Sequence, residues 1–377
     1  MNDLTSLTQA KLIQRLFRDE DIEYIAFVTS SWHFLSAQST IAWLKKKKHI
    51  KKGIILVCEH PTDGQIIEEK MLFRKWFPDQ ETYMFRFTTL ASDNEVRQYV
   101  IGHPNIGKPF YIMRPVMPKL EFSAHLCDRG ARKNIVHIVL EEGMASYMRD
   151  WKGWIFEEKK NQDLFTLWKQ FSYRTWKKYI YAEMLKRRNE YIENTLFVTV
   201  KGKLVPNRRA ISYLKGTIES LKDTYDFSRY KSYDGSVIIC TQTYSDQNLI
   251  SGNADIQVVK ECCRRANKMG YHVIIKPHPR EKNLRKYEGL GAEIDICNAV
   301  PLEAILAQTE PKPRCVIGIT TTTLVSAHLF WKIPALSIAR LIKREAYSKE
   351  IIGDIDNYCN TFSSFVKIPT STENIFF

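Results

Sequence analysis

The chain has 377 residues, of which 44% are hydrophobic and 26% charged, and its formal net charge is +14. The length exceeds that of one ordinary core and suits two domains of typical size, and the composition is that of a globular protein. The positive charge predicts acidic partners, namely nucleic acid, an anionic lipid surface, or phosphorylated or carboxylated substrates.

Cysteine usage and hydropathy predict the compartment. The eight cysteines form no Cys-x-x-Cys pair, and most lie in apolar runs such as 236-SVIICTQ-242. That pattern predicts buried free thiols in a reducing compartment, without disulfides or a zinc site. No signal peptide is recognisable in MNDLTSLTQAKLIQ, and no apolar run approaches the roughly 18 residues of a membrane span. We therefore expect a cytoplasmic protein, with peripheral contact to the inner membrane face left open.

Strand-like and helix-like runs alternate through the first 148 residues. Strands are predicted at 23–29, 53–59, 82–87, 108–113 and 134–140, and helices at 35–48 and 65–77. Near-continuous apolar strands of this kind predict a parallel sheet buried on both faces. The KKKKHIKK run at 45–52 is interpreted as a solvated helix end and not as a nucleic-acid patch, because cations are favourable at a helix C-terminus.

A second α/β series follows an interruption. Segment 149–197 holds four of the eight tryptophans and is predicted to be a helical insert of an N-terminal domain, 1–200, with a connector at 201–231. In the C-terminal domain, 232–377, strands are predicted at 235–242, 271–276, 292–297, 314–319 and 334–338, and helices at 254–270, 301–308 and 321–331. Two such series predict an α/β protein of two doubly wound domains.

The first candidate loop is 137-HIVLEEGMASY-147, where Glu141 and Glu142 end a strand and Gly143 allows a tight turn. Adjacent side chains in an extended chain point in opposite directions, so one carboxylate can face a cleft while the other does not. A carboxylate in a cleft can act as a general base. The alternative is a solvated acidic pair at the end of a strand.

The second candidate loop is 271-YHVIIKPHPRE-281, in which a strand runs into Lys-Pro-His-Pro-Arg. The prolines hold His278 on a stiff, extended loop, and open α/β sheets bind ligands at the carboxyl ends of their strands. His278 is able to bind or protonate a leaving phosphate there, and Lys276 and Arg280 to neutralise it. The alternative is a plain turn with solvated charges.

The third candidate loop is 316-VIGITTTTLVSAHLFW-331, where a strand leads through Thr320, Thr321, Thr322 and Thr323 into a helix. A helix N-terminus offers backbone N–H groups and a positive dipole end, and nearby hydroxyls add donors for a phosphate. Simple N-capping explains one of these threonines but not four.

Other catalytic motifs are absent. The sequence contains neither G-x-G-x-x-G nor G-x-x-x-x-G-K-[ST], and it contains no G-x-S-x-G. These absences argue against a dinucleotide-binding domain, a Walker NTPase and an α/β-hydrolase. The D-x-D of 353-GDIDNY-358 is interpreted as a turn, so a metal-bridged sugar-nucleotide site is not expected.

Together, the three loops resemble the motifs of the bacterial sialyltransferases, the lipooligosaccharide sialyltransferases and capsular polysialyltransferases. Those families carry D/E-D/E-G, His-Pro and a Ser/Thr pair, which stand here at 141–143, 278–279 and 320–323. The segments 28-VTSSWHFLSAQ-38 and 239-ICTQTYSD-246 resemble their first-strand loop and their Thr-Gln loop. The resemblance spans about 23–340 and leaves 149–231 unmatched. Four threonines stand where serines are common in the family, which leaves the choice of pair open.

The resemblance implies a GT-B fold, with two Rossmann-like domains facing a central cleft. It implies an inverting sialyltransferase that uses CMP-sialic acid, needs no metal or other cofactor, and acts on a bacterial surface glycan. In that scheme Glu141 is the base with Glu142 as the fallback, and His278 binds the CMP phosphate and is a candidate acid. Donor contacts are predicted for these residues: Gly143, Lys276, Pro279, Arg280, Thr320, Thr321, Thr322, Thr323, Thr241 and Gln242. Acceptor contacts are predicted for Ser30, Ser31 and His33.

The implied partners are a CMP-sugar donor and a glycan acceptor presented on a lipid at the membrane. The tryptophans of 149–197 either lie on that membrane or form an ordinary helical core stripe. One alternative function is a CDP-glycerol or CDP-ribitol polymer transferase, which also carries His-Pro-like loops; the Glu-Glu-Gly motif favours the sialyltransferase. The other alternative function is nucleic-acid binding without catalysis, but the sequence contains no RRM, KH or helix-turn-helix signature.

Overall fold

The computed structural model describes residues 6–7, 22–59, 72–86, 109–115, 135–143, 147, 191–200, 203–281, 283–296 and 300–375. They divide into two compact units: Met1–Glu142 with Asp150–Thr217, and Gly143–Arg149 with Ile218–Phe377. The chain therefore passes from the first unit to the second inside the Glu-Glu-Gly motif. In the second unit, the ring of Tyr147 meets that of Phe362 edge-on at 6.2 Å.

The first unit is built on a seven-stranded sheet. Its elements are β1 (Ser6–Leu7), β2 (Ile22–Val28), α1 (Ser31–Lys48), β3 (Lys52–Glu59), β4 (Thr82–Arg86), β5 (Phe110–Pro115), β6 (Ile135–Leu140), β7 (Tyr191–Asn194), β8 (Phe197–Val200), β9 (Lys203–Pro206) and most of α2 (Arg208–Glu219). The strand order is β1-β4-β3-β2-β5-β6-β7, with every neighbouring pair parallel. Strands β8 and β9 form a separate antiparallel hairpin.

The second unit repeats the doubly wound order in a five-stranded sheet. Its elements are β10 (Val237–Cys240), α3 (Ala254–Lys268), β11 (Val273–Lys276), β12 (Glu293–Ile294), α4 (Leu302–Gln308), β13 (Cys315–Gly318), α5 (Thr322–Trp331), β14 (Ala335–Ser337) and α6 (Ile352–Phe362). The order is β12-β11-β10-β13-β14, all parallel. The order reverses between β10 and β13, and the crevice at such a switch point is where open α/β sheets bind ligands.

Burial explains the near-continuous apolar strands. Ile238 and Ile239 are adjacent on β10 and both are 0% exposed. Because adjacent strand residues point to opposite faces, both faces of this sheet are covered. Ile54 and Ile55 show the same pattern on β3. The predicted α/β class with two doubly wound parallel-sheet domains is confirmed.

Helix α1 ends as the lysine run predicts. Ser30 caps its N-terminus by accepting a hydrogen bond from the backbone N–H of His33 at 3.2 Å. Lys45–Lys48 form the last turn, where their charges complement the helix dipole, and His49 closes the helix in the left-handed conformation. The interpretation of the run at 45–52 as a solvated helix end is confirmed for Lys45–Lys48, whereas Lys52 begins β3.

Three regions of the chain differ from the sequence-based predictions. The end of the Trp-rich insert, Tyr191–Asn194, is a strand paired with β6, and its tryptophans lie outside the described residues. Part of the connector forms α2 and the strand β9, which pairs with β8 upstream of the connector, and the second unit begins at Ile218 within α2. The D-x-D interpreted as a turn lies in α6, where Asp356 pairs with Arg344 at 2.8 Å.

The predictions about cysteines and membrane spans are checked on the described residues. Five cysteines, at 240, 262, 263, 315 and 359, are buried free thiols, as predicted. Within the described ranges, no helix combines the length and the apolar character that crossing a bilayer requires.

Candidate active site

Glu141 is enclosed in the first unit. It is 0% exposed, and its Oε2 accepts a hydrogen bond from the backbone N–H of Leu196 at 2.6 Å. Its own backbone N–H donates to Ser36 Oγ at 2.9 Å. The carboxylate thus joins the end of β6 to the turn between β7 and β8, and it is shielded from solvent.

Glu142 is partly exposed, and the buried ring of His33 holds its backbone. Burial lowers the pKa of His33 to about 4, although the hydrogen bond to the Glu142 backbone acts in the opposite direction. The second ring nitrogen, Nδ1, hydrogen-bonds Thr29 Oγ1 at 2.8 Å. A neutral His33 therefore fixes the chain at Glu142.

The three residues predicted to contact the acceptor lie mostly inside the first unit. Ser31 is 7% exposed and His33 is 4% exposed, and Ser30 spends its hydroxyl on the cap of α1. These side chains support the loop after β2 from inside. The sequence suggested acceptor contacts because small polar residues after a strand look alike whether they cap a helix or face a ligand.

Gly143 lies against the threonine run. Its φ is +112°, and a Cβ built on it would stand 2.7 Å from Thr322 Oγ1. Both residues belong to the second unit. The glycine therefore serves two purposes, since it adopts a backbone conformation that other residues avoid and it leaves room for the hydroxyl.

We expect Gly143→Ala to lower turnover as well as stability, because the Cβ must displace Thr322 while the backbone is strained by about 1–3 kcal/mol. Gly270→Ala is the matched control, since its φ is +79° and nothing lies within 4 Å of the added Cβ. Thermal unfolding and steady-state kinetics of both variants check this. Equal turnover in the two variants would contradict the close fit at Thr322.

The His-Pro loop fixes the protonation state of His278. Its Nδ1 accepts a hydrogen bond from the backbone N–H of Arg280 at 3.1 Å. A ring nitrogen that accepts carries no proton, so the single proton of the neutral ring is on Nε2. Burial, then the charge of Arg280, lower the pKa of His278, against an opposing contribution from Glu281. At neutral pH, His278 is therefore a neutral Nε2–H donor, with the side chain of Arg280 exposed beside it.

The four threonines separate into two pairs. Thr320 and Thr323 are 7% and 9% exposed, whereas Thr321 and Thr322 are partly exposed at the start of α5. Thr321 caps the helix by accepting from the backbone N–H of Thr323 at 3.4 Å. The threonines that are partly exposed at the N-terminus of α5 are thus Thr321 and Thr322.

Thr320 instead ties together the two loops at the switch point. Its backbone N–H donates to Gln242 Oε1 at 2.9 Å, and its Oγ1 lies 2.5 Å from the hydroxyl of Tyr244. Gln242, which was predicted to contact the donor, thus links the loop after β10 to the loop after β13. Tyr244 was not predicted, and no local signal marks it, because its partner is 76 residues away.

Lys276 also has a different partner from the predicted phosphate. Its ammonium donates to Asp295 Oδ2 at 2.7 Å, with side-chain exposures of 7% and 10%. The hydroxyl of Tyr233 donates to the same carboxylate oxygen at 2.7 Å. The adjacency of β11 and β12 creates this buried pair, and the sequence does not show which strands are neighbours.

We expect Lys276→Met to lower the free energy of unfolding of the second unit by about 3–5 kcal/mol, because Asp295 would remain buried without its cation. The double variant Lys276→Met with Asp295→Asn should recover part of this loss. Denaturant titration measures both. A Lys276→Met protein of unchanged stability but weakened phosphate binding would favour the role predicted from the sequence.

A family model described as alpha-2,8-polysialyltransferase (POLYST) matches residues 24–340, a range that contains all three motif loops. The chain belongs to the alpha-2,8-polysialyltransferase family. The predicted sialyltransferase resemblance is confirmed, and the protein is a glycosyltransferase. No curated protein sequence matches it.

Several solved structures are similar to this polysialyltransferase-family chain at low sequence identity. The GT-B domain of a sialyltransferase from Photobacterium damselae is 12% identical over 91% of this chain and 97% of that chain, with a TM-score of 0.43. UDP-GlcNAc 2-epimerase from Methanocaldococcus jannaschii is 12% identical, with coverages of 92% and 93% and a TM-score of 0.48. The wall teichoic acid polymerase TagF is 10% identical, with coverages of 95% and 88% and a TM-score of 0.43.

Proposed function

We propose that this member of the polysialyltransferase family transfers sialic acid from CMP-sialic acid to a sugar hydroxyl of a bacterial surface glycan, with inversion and without a metal. One observation carries the proposal. Several hydrogen-bond donors follow the carboxyl ends of strands in the second sheet, on the side where its switch point lies. They are the His278 ring, the hydroxyls of Thr321 and Thr322, and the N-terminus of α5. Such donors suit the phosphate of a departing nucleotide.

The proposed step is a single displacement at the anomeric carbon of the sialyl group. The acceptor oxygen forms a bond to that carbon as the bond from the carbon to the CMP phosphate oxygen breaks. The base takes the proton of the acceptor hydroxyl, and CMP leaves with both electrons of the broken bond. Attack from the side opposite the leaving group inverts the configuration, and the phosphate changes from the singly charged diester of the donor to the dianion of CMP.

We assign the base to Glu142, in place of the predicted Glu141. Glu141 is fully enclosed and accepts a hydrogen bond from Leu196, so it cannot reach an acceptor. Glu142 is partly exposed, and His33 holds its backbone in place. A general base must come within hydrogen-bonding reach of the proton that it removes, and only the second carboxylate is accessible for that.

We assign the leaving phosphate to His278, Thr321 and Thr322. His278 donates from Nε2 as a neutral ring, which needs no proton transfer to stabilise the phosphate charge. The two hydroxyls and the positive end of the α5 dipole add to the same field. In this assignment His278 is a hydrogen-bond donor and not the acid that the sequence left open.

The direct test is product analysis with CMP-sialic acid and a fluorescent oligosialyl acceptor in the presence of EDTA. We expect an extended product whose new linkage is α, since the donor is β-linked, and a rate that EDTA leaves unchanged. An EDTA-sensitive rate or a retained configuration would contradict the mechanism. Consumption of CDP-glycerol without use of CMP-sialic acid would replace the proposal with the polymer-transferase alternative.

Presentation of the acceptor on a lipid at the inner membrane face also remains a proposal. The tryptophans that suggested membrane contact belong to the part of 149–197 that ends at residue 190, and this part lies outside the described residues. Vesicle flotation with anionic and with neutral lipids tests this contact. Absence of binding to both kinds of vesicle would remove it.

A further inference from the structure

Glu281 is a buried carboxylate to which the sequence assigned no role. Its side chain is 0% exposed, and it lies three residues after His278. One oxygen, Oε2, accepts from the backbone N–H of His278 at 2.9 Å and from the hydroxyl of Thr241. The other, Oε1, accepts from the hydroxyl of Tyr287 at 2.6 Å and lies 2.7 Å from Lys286 Nζ.

These four donors come from three separate segments. Thr241 follows β10, His278 follows β11, and Lys286 and Tyr287 belong to the short helix Leu284–Tyr287. Lys286 extends the connection, because its ammonium also donates to Asp246 in the loop after β10 at 2.8 Å. One carboxylate thus ties the His-Pro loop to the loop at the switch point.

The energetics make this connection rigid. A buried carboxylate is tolerated when charged and neutral donors fill its acceptor positions, as they do here. Removing the carboxylate would leave several donors unpaired, among them the backbone N–H of His278. Burial lowers the pKa of Lys286, but hydrogen bonds to Asp246 and Glu281 prevail and raise it, so its charge remains opposite the carboxylate.

We propose that Glu281 is the positioning residue of the transfer reaction, which holds the His278 loop and the Thr241 loop together so that Nε2–H of His278 points at the leaving phosphate. Glu281 cannot touch the donor itself, because its side chain is enclosed. The identity of the phosphate ligand rests on the proposed function, whereas the restraint on His278 does not.

The kinetic test is a double-mutant cycle of Glu281→Gln with His278→Ala. The glutamine side chain has the same size as that of glutamate. It places an NH₂ group where one carboxylate oxygen accepts hydrogen bonds in the wild type. We expect Glu281→Gln to lower kcat about 100-fold, the effect of a displacement of about 1 Å, with the KM for the acceptor unchanged. In the His278→Ala background, the same substitution should cause no further loss.

Glu261→Gln supplies the matched control. Glu261 is the same residue type on α3, where its partly exposed side chain pairs with Arg264 and Arg265, and its change to glutamine should leave kcat unchanged. Losses from Glu281→Gln and His278→Ala that multiply would overturn the proposal, as would wild-type kcat in Glu281→Gln. If Glu281→Gln does not fold, Thr241→Val enters the same cycle with the same two readings.

A spectroscopic measurement separates this inference from the proposed function. Imidazole ¹⁵N shifts of the unliganded protein report the tautomer of His278, with the signal assigned by its loss in His278→Ala. We expect a fixed Nε2–H tautomer in the wild type and an averaged one in Glu281→Gln. An identical ring signal in both proteins would overturn the restraint, whatever the donor is. A changed signal in a protein that does not use CMP-sialic acid would sink the proposed function alone.

Discussion

Glu142→Gln is expected to lower kcat by about 10²–10⁴-fold, the contribution of a positioned general base. The substitution keeps the shape of the side chain and removes its ability to take the acceptor proton. Donor binding and thermal stability should remain at wild-type values, because Glu142 is partly exposed and the phosphate donors are untouched. Steady-state kinetics with CMP-sialic acid, together with thermal unfolding, measure each effect separately.

Glu141→Gln is the reciprocal control for that prediction. Its amide oxygen can still accept from the Leu196 N–H, so the turn between β7 and β8 keeps its contact. We expect a loss of about 1–3 kcal/mol in the free energy of unfolding, because a charged hydrogen bond becomes a neutral one. Turnover per folded molecule should remain near the wild-type value. An inactive Glu141→Gln with an active Glu142→Gln would return the base to the residue first predicted.

His278→Ala is expected to lower kcat/KM by about 10²–10³-fold, the effect of removing one donor aimed at developing charge. His278→Gln should recover part of the loss, since its amide can place an N–H near the position of Nε2. Stability should change little in either variant, because the backbone N–H of His278 keeps its bond to Glu281. Kinetics of the two variants at equal folded fraction provide the comparison.

The pH dependence separates a neutral donor from an acid at His278. Burial lowers the pKa of His278 from its ordinary value of 6.5, so less than half of the rings are protonated at pH 6.5, and the protonated fraction decreases further above it. If His278 acts as a neutral donor, we expect kcat to stay constant between about pH 6.5 and 8. The wild type and His278→Gln should then have the same pH profile in this range. A tenfold fall per pH unit across that range would show that the protonated ring is required.

Secondary structure was largely predictable because each buried strand carries its own apolar pattern. The strands that became β2, β3, β10 and β11 were all located from their sequence alone. Strand β7 escaped detection, because Tyr191–Asn194 is a strand by virtue of pairing with β6, about 50 residues upstream. The hairpin of β8 and β9 escaped for a related reason, since its residues are half exposed and weakly patterned.

The candidate site was predictable as a set of loops and not as a set of side-chain roles. Strand ends followed by Glu-Glu-Gly, His-Pro and threonines mark where a ligand belongs in such a fold. The inward direction of Glu141 depends on the N–H of Leu196, which lies 55 residues further along the chain. The pairing of Lys276 with Asp295 was not predictable, because Asp295 is distant in sequence and adjacent only through the sheet order.

Binding of CMP by calorimetry in the presence of EDTA tests the central claim most directly. UMP, CDP-glycerol and ADP serve as competing nucleotides, and His278→Ala serves as the site control. The account predicts that the wild-type protein binds CMP in preference to the other three, that EDTA leaves the affinity unchanged, and that His278→Ala weakens it. Absence of CMP binding, or CMP binding that is indifferent to the loss of His278, would contradict the assignment of this loop to the leaving phosphate.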